Sequence, residues 1–191
     1  MIIAKIETFP LRIPFKPGTH AAASAWGDKG LPVADSLVVK VTTDQGLDGW
    51  GEAFGFRAVR SAKLAVDELI APLCLGKDAT QIAPLMLEVQ NKLHIFGRTG
   101  PLFYGLSAVD IALWDIAGKA ANAAVSRLLG GGAADLGCYA SLLLYSDPSL
   151  VLKCLKPKPV FAYIDVEVLT EWEHEGALLR RLRRISQPSL K

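Results

Sequence analysis

The chain is 191 residues long, 51% hydrophobic and 21% charged, with 21 Lys and Arg against 19 Asp and Glu. That length buries a real core in one domain, or in a small domain and part of another. A formal net charge of +2 gives no electrostatic claim on nucleic acid or an anionic membrane, and no run approaches the ~18 apolar residues of a membrane span.

Residues 2 to 15 alternate well enough for an edge strand, with Ile3, Lys5, Glu7 and Phe9 on one side and Ile2, Ala4, Ile6 and Thr8 on the other, until Pro10 and Pro14 break it up. The stretch from Lys16 to Pro32, rich in Gly, Ala and Pro, has neither period and is expected to be a long loop of the kind that forms lids. Ser36 to Thr43 is β-branched and apolar, Asp44 to Gly49 is turn chemistry, and extended structure resumes at Trp50, so a hairpin is predicted. These strands form an antiparallel meander.

From Ala58 the period becomes helical, with Ala62, Ala65, Val66, Leu69 and Ile70 on one stripe until Pro72 stops it. Ile82, Leu85, Met86, Val89 and Leu93 make a second stripe, and a third helix is expected from Pro101 to Asn122. Three strands followed by three helices predict an α+β domain over residues 1–130.

Beyond Gly130-Gly131-Gly132 the order becomes strand (Leu136 to Leu144), helix from Asp147, strand (Val160 to Val168) and helix (Thr170 to Ile185), which implies parallel pairing over residues 131–191. Pro157 and Pro159 end the first of these helices near Lys156. Arg180, Arg181, Arg183 and Arg184 read as a solvated helix face, and Glu171, Glu173, His174 and Glu175 as acids favoured by a helix start.

Cys74, Cys138 and Cys154 have no Cys-x-x-Cys spacing and no His at metal-ligand intervals, so they read as buried or idle cytosolic thiols. The N-terminal Met-Ile-Ile-Ala-Lys-Ile-Glu carries its charges inside the apolar stretch, unlike a secretory signal. A cytoplasmic protein is expected.

Two motifs carry a resemblance. Thr43-Asp-Gln-Gly-Leu-Asp-Gly-Trp-Gly-Glu resembles the hairpin of the mandelate racemase/muconate lactonizing group of the enolase superfamily. Ala108-Val-Asp-Ile-Ala-Leu-Trp-Asp-Ile-Ala-Gly-Lys with Arg127-Leu-Leu-Gly-Gly resembles its helix and barrel entry. Ala124 and Ser126 depart from the family's usual Pro and bulky aromatic there. Within the motifs, Gly46 and Gly49 read as turn positions with unusual dihedrals, and Asp110 and Asp115 as residues that cap or bridge neighbouring elements.

The resemblance implies a capping α+β domain followed by a β/α barrel, with the active site at the barrel's strand ends beneath two loops of the cap. His20, Trp26, Phe54, Phe56 and Arg57 fall in the stretches matching those loops and are candidates for contact with a small carboxylate substrate. Family members remove the proton α to a carboxylate, with a Lys-x-Lys pair on the second barrel strand and Mg²⁺ on acidic ligands of later strands. In this chain Val160-Phe-Ala-Tyr-Ile-Asp-Val-Glu resembles that second strand, and Asp165 and Glu167 occupy the lysine positions. The alternative match at Lys156-Pro157-Lys158 lacks a regular strand.

A complete barrel takes about 250 residues. The expectation is therefore a truncated barrel of two β/α units, catalytically incomplete and binding no Mg²⁺ itself. The alternative is a non-catalytic interaction module that associates with itself or a full-length partner through the cap. Uncovered sheet edges favour a homo-oligomer or aggregation.

Overall fold

The computed structural model describes residues 1–14, 33–55, 57–132, 139–145 and 163–168. The chain divides into two compact units, one made of Met1–Ile13 with Val33–Gly132 and the other holding the last two strands. In the first unit, β1 (Ile3–Pro14), β2 (Val33–Thr43) and β3 (Asp48–Ala53) form a three-stranded antiparallel sheet in that order.

Alternation builds the inner face of β2, where Leu37, Val39 and Val41 are fully buried. Each such side chain contributes about 1.5–3 kcal/mol by leaving water. The hairpin pairs Leu37 with Ala53 through Thr42 with Asp48. Its turn is closed by the Thr43 amide on the Leu47 carbonyl at 3.0 Å and by Leu47 N–H on Thr43 Oγ1 at 3.1 Å. Gly46 sits in that turn at φ 76°, a left-handed conformation that glycine adopts without a Cβ penalty.

β1 differs from the predicted edge strand in two ways. It runs through Pro10 to Pro14, because an edge strand spares one row of donors and a proline there forfeits no ladder bond. Its faces also change parity: Ile3 is core, yet Ile6 packs on the core and Thr8 reaches the first helix, donating to Asp67 Oδ1 at 2.7 Å. The strand start is fastened by Ile3 N–H on the Lys77 carbonyl and Gly76 N–H on the Ile3 carbonyl, both at 2.9 Å.

Pro72 does not stop the first helix. The chain forms α1 (Val59–Leu64), widens into a π turn over Ala65–Ile70, and continues as α2 (Ala71–Cys74). A regular turn would set the proline ring against the carbonyl of residue 68. Here the Ala71 amide instead reaches back to the Val66 carbonyl, and the wider turn carries the helix past the proline. α3 (Ile82–Lys92) follows, then a 3₁₀ turn (His94–Phe96) and the 22-residue α4 (Gly100–Ala121).

α4 organises the unit. Leu102, Leu106, Val109, Leu113 and Ile116 recur at helical spacing and are buried, while Gly105 meets Val66 and Ile70 of the first helical run. Asn122 ends it in the left-handed conformation at φ 48°, and its amide and that of Ala123 close onto the last-turn carbonyls of Lys119 and Gly118. A short α5 (Val125–Leu128) comes next.

β3 lies directly on α4, because its inner face reads Gly49, Gly51, Ala53. A Cβ on Gly51 would stand 1.9 Å from the Ala108 carbonyl oxygen, and one on Gly49 2.0 Å from that of Ala112. Gly49 therefore serves close approach in a strand, not the turn dihedral expected of it.

In the second unit β4 (Tyr139–Tyr145) pairs parallel with β5 (Tyr163–Val168), in the register Tyr139 with Tyr163 and Ser141 with Asp165. The parallel pairing expected from the element order is present. The helices expected from Asp147 and over Thr170 to Ile185 lie outside the described residues, as do Cys138, Cys154 and the acidic and arginine clusters.

Candidate functional site in the capping unit

Of the predicted loop residues, Phe54 and Arg57 are described, while His20, Trp26 and Phe56 lie outside the described residues. The segment from Phe54 to Ala58 joins the end of β3 to the start of α1. Gly55 makes the joint possible, because a Cβ there would stand 1.7 Å from the Asp35 carbonyl oxygen. The Ala58 amide returns to the Gly55 carbonyl at 2.6 Å, so the chain reverses within one turn.

That reversal leaves Phe54 58% exposed, with its ring meeting Tyr104 of α4 edge-on at a centroid distance of 5.3 Å and 70° between planes. Such a pair fixes a ring without burying it. Arg57, three residues on, has φ 67°, a backbone conformation that is costly for any residue with a Cβ. Its exposed guanidinium has no hydrogen bond or ion pair among the described residues. A fixed aromatic face and an exposed cation at the end of one strand suit an anionic ligand with an apolar or hydroxylated body.

Asp115 bridges elements as expected. Its Oδ2 accepts the Trp50 amide at 2.9 Å and Lys119 Nζ at 2.6 Å, and Lys119 also donates to the Asp48 carbonyl at 2.8 Å. The free edge of β3 is thus satisfied by side chains of α4. Asp110, expected to act likewise, does not: among the described residues it has no hydrogen-bond partner, and burial pushes its carboxyl above the usual range. Sequence reasoning missed Tyr104, Lys119 and Gly55. The i,i+4 spacing of Asp115 and Lys119 was the available signal for one of them.

Asp48 is held below the usual carboxylate range by its bonds from Lys40 and Thr42. Lys40 lies 2.9 Å from Asp48 and 5.5 Å above the Trp50 ring, on the sheet face away from α4. Asp165 and Glu167 fall two positions apart on β5. Among the described residues no group of three or more His, Cys, Asp or Glu is placed to hold a metal ion. No described helix is long and apolar enough to cross a membrane.

Comparison with known proteins accounts for this arrangement. The family described as mandelate racemase / muconate lactonizing enzyme, N-terminal domain, matches residues 29–130. An arabinonate dehydratase of Saccharolobus solfataricus is 31% identical over 132 residues, which is 68% of this chain and 35% of that protein. A D-galactonate dehydratase family member of Musicola paradisiaca is 42% identical over 103 residues, 53% of this chain and 24% of that protein. A racemase from Streptomyces coelicolor A3(2), solved with bound magnesium, superposes with a TM-score of 0.84 at 26% identity over 98% of this chain and 53% of its own. The chain thus spans about a third or less of these curated relatives and about half of the solved structure. The sheet, the glycine-lined contact with α4 and the matched residues agree: the chain belongs to the mandelate racemase / muconate lactonizing enzyme family of the enolase superfamily, through that family's N-terminal capping domain.

Proposed function

We propose that this chain supplies the cap of an acid-sugar dehydratase or racemase type of active site, in which a proton is removed α to a carboxylate. The observation that carries the reading is the joint after β3, where Phe54 is fixed on Tyr104 and Arg57 is held in a strained conformation with its guanidinium exposed and without a partner among the described residues. In this reading Arg57 binds an oxygen of the sugar acid, and Phe54 walls the substrate off from water. His20, Trp26 and Phe56 complete the cover.

The dehydratase relatives support a sugar-acid carboxylate as substrate, and the magnesium-bound racemase supports Mg²⁺ as the family's cofactor. When bound, such an ion stabilises the charge that develops on the substrate carboxylate. Asp165 and Glu167 stand where the resemblance calls for lysines, and anionic groups there repel an anionic substrate. We therefore take the 191-residue chain to catalyse no proton exchange alone and to act in a cytoplasmic setting.

Two measurements test this. Proton NMR in D₂O should show no exchange of the C2 proton of D-galactonate or arabinonate by the 191-residue chain, with or without Mg²⁺, and exchange would overturn the inactive part of the reading. Residues 1–130 grafted onto the barrel of the Musicola paradisiaca relative should give an active chimera whose KM rises when Arg57 is changed to Ala. An unchanged KM in a folded, active chimera would overturn the role of Arg57.

A further inference from the structure

Between α3 and α4 the cap carries polar groups that the capping role leaves unused. Met86 and Gln90 lie one turn apart on α3, while Phe103, Leu106, Ser107 and Asp110 fall on one stripe of α4. Together they line a groove of about 250 Å³. Met86 and Leu106 belong to the core and, with Phe103, give the groove apolar walls. The Gln90 amide, the Ser107 hydroxyl and the Asp110 carboxylate also line it, and none of the three has a hydrogen bond or ion pair among the described residues.

Asp110 is the one charged residue of this lining, part-buried, and burial pushes its carboxyl above the usual range. Neither helix supplies a cation for it. The basic residue of α3, Lys92, pairs with Glu88 at 2.7 Å, and that of α4, Lys119, pairs with Asp115 at 2.6 Å. A partly dried carboxylate without a partner is a net cost to the isolated fold, which an incoming cation offsets.

The lining selects one class of ligand. Asp110 repels an anion, and a neutral apolar molecule leaves the carboxylate dried and unpaired. A divalent metal ion asks for about six oxygen ligands, where this groove sets one carboxylate against a thioether, a phenyl ring and an aliphatic chain. A primary ammonium has three donors for the Asp110 carboxylate, the Gln90 amide oxygen and the Ser107 hydroxyl, and the Phe103 ring attracts a cation as well. The volume, just below the usual range for ligand pockets, holds the rest of the molecule to about one ring or a short chain. We infer that the α3–α4 groove binds a small primary ammonium with a short apolar body, held by Asp110 with Gln90 and Ser107 as further acceptors. This inference does not depend on the catalytic reading.

Heteronuclear NMR of the labelled 191-residue chain, titrated separately with phenethylammonium, phenethyl alcohol and phenylacetate, tests it. The ammonium should shift the amides around residues 86–90 and 103–110 saturably, with a Kd of about 1 mM or tighter. The alcohol and the carboxylate should bind at least about tenfold more weakly. Asp110→Asn keeps the shape and removes the charge, so it should weaken the ammonium at least about tenfold and leave the alcohol unchanged. Ser107→Tyr, at an exposed position, fills the groove and should abolish binding. Equal affinity for the three probes, no saturable shift in this region, or an ammonium indifferent to either substitution would overturn the proposal. So would a capped lysine tripeptide that binds more tightly than phenethylammonium, since the groove would then belong to a protein partner. Circular dichroism reports whether Asp110→Asn folds. If it does not, Ser107→Tyr decides the matter, and an ammonium that still binds there overturns the proposal.

Discussion

The Trp50 amide and the Asp115 carboxylate are 65 residues apart in sequence and joined by a hydrogen bond of 2.9 Å. The bond takes a donor on the open edge of β3 and occupies it with a side chain of α4, while Lys119 occupies the neighbouring Asp48 carbonyl. Edge strands left with free donors and acceptors invite pairing with other chains. In this fold the edge is closed from within.

Asp115→Ala should therefore destabilise the cap by about 1 kcal/mol, the usual worth of a part-exposed hydrogen bond. Lys119→Met should cost less. Urea denaturation of the two single variants and the double variant should show the double costing less than the sum, because one network is lost once.

Gly51→Ala should be far more harmful than Gly46→Ala. The first drives a methyl into the Ala108 carbonyl and must lift β3 off α4, a change expected to cost about 3 kcal/mol or more. The second meets nothing within 4 Å and incurs only the left-handed penalty, about 1 kcal/mol. Thermal melts of both, read by circular dichroism, check the order.

The response to pH should differ between carboxylates. Asp48, Asp78 and Glu88 have folded-state values lowered by hydrogen-bonded partners, so their contribution is present above the ordinary carboxylate range and is lost as pH falls through the lowered values. Asp110 is raised by burial, so it works the other way: the folded state loses stability as pH climbs from the unfolded carboxylate value through the raised one. Asp110→Asn should raise the melting temperature at pH 7 in dilute solution and make no difference at pH 3. An equal gain at both values would rule out ionisation as the cause.

Cys74 is fully buried, and burial pushes its thiol up to about 11. It should resist iodoacetamide at pH 8 in the folded chain and react after denaturation. Peptide mapping by mass spectrometry separates Cys74 from Cys138 and Cys154.

Arg57→Gly should leave the cap as stable or raise its stability by up to about 1 kcal/mol, since glycine accepts the left-handed backbone at φ 67°. A clear loss would mean that Arg57 makes a stabilising contact in the folded chain.

The strand over Leu37 to Val41 was legible from its β-branched, apolar residues, and the apolar stripe of α4 because burial on one face repeats with the period of a helix. The π turn before Pro72 was not, since the proline rule describes a regular helix and a local widening evades it. Gly49 showed that the same residue type serves two ends: the turn signal read from its neighbours was in fact a signal of close packing, which needs a partner helix to be seen. At the candidate site, the resemblance to the family's substrate-covering loops pointed to Phe54 and Arg57. The strain at Arg57 and the Phe54–Tyr104 contact depend on tertiary geometry that spacing does not encode.

The glycine-lined contact between β3 and α4 also bears on when this domain can form. Its hairpin lies within the first 53 residues, but the surface it needs belongs to a helix that ends at Ala121. During synthesis the hairpin must wait, with Val39, Val41 and Leu37 uncovered, until the last turn of α4 has left the ribosome. Ribosome-bound chains ending before that point are the ones that should engage chaperones, and those extending some tens of residues past it should be released from them.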